Sequence, residues 1–129
     1  MDRQASALRV LIVDQSKIFT RSATRFLADF ANLAGIDSIQ SLQDMGAPAR
    51  GTPDLIFVEW QLAASFGWSS GMRAQRSPVQ PRIFLIAQDD YPEYHSTAQL
   101  WGADGFVPKA EFAIRMLSLL ATQRRETTI

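Results

Sequence analysis

Short apolar runs alternate with helix-like periodicities along this 129-residue chain. Leu8 to Val13 reads as a strand, and Ser16 can then cap a helix in which Phe19, Ala23, Phe26, Leu27, Phe30 and Leu33 recur at helical spacing. Gly35 suits the end of that helix. Ile36 to Ser41 predicts a second strand anchored by Ile36 and Ile39. Gln43 to Arg50 predicts a brief helix weakened by Gly46 and Pro48, and Gly51-Thr52-Pro53 breaks it. Asp54 leads into a third strand, Leu55 to Val58. After Glu59 the pattern predicts a loop and then a helix around Trp68 to Gln75, where Gly67, Gly71 and two serines lower the propensity. Ser77-Pro78 and Pro81 precede a fourth strand, Arg82 to Ala87.

Pro92 fits a first helical turn, and a helix can run from it to Trp101. Gly102 and Gly105 flank a short last strand, Phe106-Val107. The final helix places Phe112, Met116, Leu117 and Leu120 on one face, with Glu111 near its start and Arg124-Arg125 near its end, as the helix dipole favours. Residues 1–6 and 126–129 are expected to fray. Five strands alternating with helices predict an α/β doubly wound parallel sheet, built as a single domain over residues 1–129 with its core at about 8–122.

Parallel strands put their carboxyl ends on one edge of the sheet, where ligands bind at a switch in strand order. The first strand stops at Asp14, the third at Glu59 and the last, through Pro108, at Lys109. Two carboxylates and an ammonium are therefore expected to converge.

Composition narrows the chemistry. Thirteen basic residues balance thirteen acidic ones, so no net field favours nucleic acid or an anionic membrane. No run approaches the roughly 20 apolar residues of a membrane span, and no apolar signal core precedes the first strand, so a cytoplasmic location is expected. The absence of cysteine excludes disulfides and thiol chemistry, and one histidine argues against a histidine-based metal site.

The motifs then become recognisable. LRVLIVDQSKIFTRSATRFL, PDLIFVEWQL, PRIFLIAQDD and GADGFVPKAEF, in this order and spacing, resemble the receiver domain of two-component response regulators (chemotaxis-regulator-like). The resemblance implies a (βα)5, flavodoxin-like fold with strand order 2-1-3-4-5. It further implies a pocket that binds Mg²⁺ and takes a phosphoryl group from a histidine kinase onto an aspartate. Asp14 matches a metal-binding acid, Lys109 the phosphoryl-contacting lysine, and Gln61 the residue whose backbone carbonyl meets the metal.

The departures matter more. Glu59 stands at the phosphoacceptor position, and its extra methylene displaces the oxygens by roughly one carbon–carbon bond, where productive geometry tolerates about 0.5 Å. Gln15 replaces the second metal-binding acid. Ile86 replaces the switch hydroxyl, Phe106 the switch tyrosine, and Ala110 the proline after the lysine. A metal held by Asp14, Glu59 and Gln61 would bind weakly, so no cofactor is expected beyond weak Mg²⁺. Glu59 is long enough to reach Lys109, and a Glu59–Lys109 ion pair is expected to fill the pocket in place of phosphate and metal.

These features imply a pseudo-receiver: a stand-alone, non-enzymatic signalling module acting through protein association. The alternative is a phosphoaccepting receiver in a phosphorelay, using Glu59 with Mg²⁺ near Asp14. A small-ligand sensor is a third reading, to which no residue pattern points. The expected partners are a histidine kinase, a phosphotransfer protein or a downstream effector. A homodimer through the Pro92–Trp101 helix, the last strand and the last helix is also possible. Tyr91, Tyr94 and Trp101 form a candidate interface on that helix, unless Ala98 and Trp101 cover the sheet instead. Trp60 and Trp68 flank the pocket loop, either shielding it or presenting a patch to partners. Asp89-Asp90 reads as a solvated turn, and His95 as a surface residue.

Overall fold

The computed structural model describes residues 8–30, 33–40, 53–66 and 82–127. Five strands form one wholly parallel sheet in the order β2-β1-β3-β4-β5, where β1 is Leu8–Val13, β2 Leu33–Ile39, β3 Leu55–Glu59, β4 Arg82–Ala87 and β5 Gly105–Pro108. Among the described residues the α-helices are α1 (Lys17–Leu27), α2 (Trp60–Phe66), α3 (Pro92–Trp101) and α4 (Phe112–Thr127). A 3₁₀ turn over Lys109–Glu111 joins β5 to α4. The order matches the sequence expectation of 2-1-3-4-5. None of these helices is long and apolar enough to cross a membrane.

The central strands are apolar along their length because both of their faces are covered. Ile12, Phe57, Phe84, Ile86 and Val107 face Ala23 and Leu27 of α1 and Phe112, Met116 and Leu120 of α4. On the other side Val58, Ile83, Leu85 and Phe106 meet Ala63 of α2 and Ala98 of α3. β2, at the edge, has no fully buried residue.

Two aspartates lock the amino ends of the strands in the same way. Asp54 accepts a hydrogen bond from the Arg9 amide through Oδ2 (2.9 Å) and donates its own amide to the Arg9 carbonyl (2.8 Å). Asp104 does the same with Ile83, at 2.7 Å for both bonds. Each carboxylate satisfies a strand-end donor that would otherwise need water.

Three elements differ most from the sequence expectation. α1 ends at Leu27 with Ala28 as its C-cap, well before Gly35. Phe30 and Leu33 still pack on the core, so the apolar rhythm outlasts the helix. Gly35 lies in β2 opposite Arg9, at a register shift, where a Cβ would stand 3.0 Å from the Arg9 guanidinium. β2 accordingly begins at Leu33 and ends at Ile39. Finally, Trp60–Phe66 is helical where a loop was expected. The expected helices at 43–50 and around Trp68 to Gln75 lie outside the described residues. α3 has the predicted bounds, with proline in its first turn and Gly102 closing it at φ 88°, the left-handed conformation glycine tolerates.

Candidate functional site

The strand order reverses between β1 and β3, and the residues at their carboxyl ends are Asp14 and Glu59. Asp14 is the one charged residue in the buried core among the described residues. Its Oδ1 accepts the Ser16 amide at 2.9 Å, and Ser16 Oγ in turn accepts the Phe19 amide at 3.2 Å, capping α1. The same carboxylate thus shapes the β1–α1 turn and serves the pocket.

Lys109 reaches Asp14 from the end of β5. Its Nζ lies 2.8 Å from Asp14 Oδ2. Oδ2 is buried and makes no hydrogen bond of good geometry, so the contact is chiefly one of charge with charge. Burial strengthens it, because the surroundings screen little. Phe19 lies under the ammonium, its ring centre 4.8 Å from Nζ, and stands edge-on to Phe112. Phe112 meets Phe57, which stacks on Phe84. A chain of core aromatics therefore fixes the lysine stem.

The expected Glu59–Lys109 pair is not formed; Lys109 takes Asp14 instead. Glu59 turns to the first turn of α2, where Oε1 accepts the Leu62 amide at 3.1 Å. It stands immediately before Trp60, the first residue of α2, and acts as its cap. This role also explains why the helix begins without an intervening loop. A glutamate is long enough to fold back onto the third amide ahead, and doing so engages one carboxylate oxygen.

The remaining predicted site residues are dispersed. Gln15 and Gln61 are exposed. Ile86 pairs in register with Glu59 and is wholly buried, filling the space beneath the pocket with a side chain that cannot hydrogen-bond. Phe106 is buried on the opposite face, with Tyr94 and His95 rings 5.2 and 4.8 Å away. Ala110 follows Lys109 through a trans peptide bond.

An aromatic layer seals the α2–α3 side of the site. Trp60 stacks on Trp101 with centroids 5.0 Å apart and planes 5° from parallel. It also touches Tyr94, which continues to Tyr91 and Phe106. Trp101 and Tyr94 thus cover the sheet side of α3, with Ala98 buried between them in sequence, and Tyr91 is exposed. Burial raises the Tyr94 phenol above its ordinary value, and Asp89, Tyr91, Glu59 and Glu93 add to the effect. His95 Nε2 lies 2.7 Å from Asp90 Oδ1 in an exposed pair. Trp68 lies outside the described residues.

Sequence reasoning missed the capping role of Glu59. The signal was available: an acid three residues before an amide that opens a helix.

No protein-family model and no curated protein matches the sequence. Solved structures do match the fold. A response regulator from Hahella chejuensis superposes with a TM-score of 0.71 at 16% identity, over 91% of this chain and 95% of that one. The signal receiver domain of a DNA-binding response regulator (merR) from Colwellia psychrerythraea 34H gives 0.70 at 16% identity, over 88% and 98%. An orphan response regulator of H. pylori, HP1043, gives 0.67 at 20% identity, over 89% and 98%. The chain therefore has the fold of response regulator receiver domains.

Proposed function

We propose that this protein is a receiver-type signalling module of the two-component class that works through protein association, without an aspartyl-phosphate cycle. One observation carries the reading: Lys109, the cation at the mouth of the pocket, is held 2.8 Å from buried Asp14, while Glu59 is committed to capping α2. Phosphoryl transfer to a carboxylate needs an in-line nucleophile and cations free to neutralise the phosphoryl oxygens. Here the acceptor-position acid faces a helix end, and Ile86 supplies no hydroxyl.

The donor set does not fit a magnesium ion either. Mg²⁺ demands near-octahedral oxygen ligands, and its sites draw on carboxylates with charge to spare. Asp14 is already compensated by Lys109, Gln15 is neutral and exposed, and Glu59 spends an oxygen on the Leu62 amide. Among the described residues no three acids or histidines cluster as metal ligands.

The module's partners on this reading are proteins: a kinase, a phosphotransfer protein or an effector, in the cytoplasm. A second copy of the chain is a further candidate partner, docking through α3, β5 and α4, where Tyr91 is exposed. The rival reading, phosphorylation of Glu59 with Mg²⁺ at Asp14, draws support from Asp14 Oδ2, a buried oxygen that makes no hydrogen bond. Incubation with acetyl phosphate and Mg²⁺, followed by intact-mass measurement, separates the two. No added phosphoryl mass is expected; an acyl phosphate mapped to Glu59 overturns the proposal.

A further inference from the structure

A groove of about 780 Å³ opens between α1 and the carboxyl end of β2, with Asp14 in its lining. Lys17, Arg21 and Arg25 line it from α1. They recur every fourth residue, so they stack on one helix face in a stripe about 12 Å long. Among the described residues none of the three forms an ion pair. Among the described residues Asp14 is the one acid in the lining, and Lys109 already compensates it.

Like charges at four-residue spacing repel. Lys17 in the first turn of α1 opposes the helix dipole with no acid in that turn to offset it, whereas Arg25 in the last turn suits it. In a chain whose net charge is zero, three unpaired cations around one cavity are a local concentration, not a general bias. Sites where a sequence breaks a local rule are where function is sought.

We propose that this groove binds a small molecule carrying two or more phosphoryl groups. Guanidinium forks pair with phosphate oxygens in bidentate fashion, and lysine adds a point charge. Thr20 and Thr24 bring hydroxyls to the same wall, and Ser38 and Gln40 of the facing strand end offer hydrogen bonds to the rest of the ligand. The volume falls within the range of roughly 300–1,000 Å³ usual for small-molecule sites. The two guanidinium groups of the lining belong to Arg21 and Arg25, so the phosphoryl groups lie toward them. Lys109 is not in the lining and acts only by compensating Asp14.

The test titrates the full chain with ATP, and separately with tripolyphosphate, in EDTA at constant ionic strength. Amide NMR shifts and calorimetry are the readouts. Saturable shifts are expected at Thr20, Arg21, Thr24 and Ser38. Arg21→Gln with Arg25→Gln is expected to weaken binding at least about tenfold for each arginine removed, the loss of one charge-assisted contact apiece. Arg115→Gln, on α4, is expected to leave binding unchanged. Both groove arginines are exposed, and a far-ultraviolet spectrum verifies that the variant folds. Non-saturating shifts, equal shifts with sulfate at the same concentration, or unchanged affinity in the double variant would overturn the proposal.

Discussion

Lys109 Nζ and Asp14 Oδ2 meet at 2.8 Å with side chains 12% and 3% exposed, so the pair sits where neither charge can be left alone. Removing one partner of a buried pair strands the other, at a cost of about 3 kcal/mol or more. Lys109→Met is therefore expected to lower unfolding stability by about that amount. Adding Asp14→Asn, which keeps an oxygen for the Ser16 amide, is expected to recover most of it. Urea denaturation of both single variants and the double measures the coupling. Independent, additive losses would show that the contact carries no energy.

Glu59 caps α2 through the Leu62 amide. Glu59→Ala is expected to cost about 1 kcal/mol, the usual worth of a cap, and Glu59→Gln much less because its carbonyl oxygen can accept the same bond. Thermal melts distinguish the two. A glutamine variant as unstable as alanine would mean that the charge, not the acceptor, matters.

Trp60 and Trp101 lie parallel at 5.0 Å and join the first residue of one helix to the last of another. A double-mutant cycle with Trp60→Leu and Trp101→Leu is expected to yield a coupling of about 1 kcal/mol beyond lost area. The single replacements should also release the quenched or shifted emission of the stacked rings. Zero coupling would reduce the stack to simple coverage of the sheet.

Tyr94 ionises later than a free phenol. Its folded value lies above its unfolded value of 10.0, so the unfolded chain gives up the proton first as alkali is added. The stability tied to neutral Tyr94 is whole below pH 10.0 and is lost as pH climbs through the folded value. Denaturation series across that range are expected to show a falling stability that Tyr94→Phe flattens. Identical profiles for the two proteins would contradict this.

Most of the strand framework was legible, because strands buried on both faces are apolar throughout. Leu8–Val13 and Arg82–Ala87 emerge with their predicted bounds, and Pro92 and Gly102 mark α3 by their backbone preferences. α1 was over-extended for a physical reason: Phe30 and Leu33 bury against the core from outside the helix, and periodicity cannot tell a helical from a post-helical contact. At the site, the three charges were placed on the right strand ends, yet their pairing was misread. Length alone made Glu59 the favoured partner of Lys109. Which acid a lysine takes depends on what else each acid can satisfy, and Glu59 found an unpaired amide next door. Caps are cheap to make locally and invisible to a reading that asks only about pocket chemistry. The groove on α1 escaped notice because Lys17, Arg21 and Arg25 resemble the solvated face of any amphipathic helix until the opposing strand is in view.

Asp54 and Asp104 fasten β1 to β3 and β4 to β5 at the rim opposite Asp14, Glu59 and Lys109. The scaffold is thus cinched from below by contacts that ask nothing of the upper rim. Substitutions at the upper rim therefore leave the layered body its shape, and the two ends of the sheet can change independently.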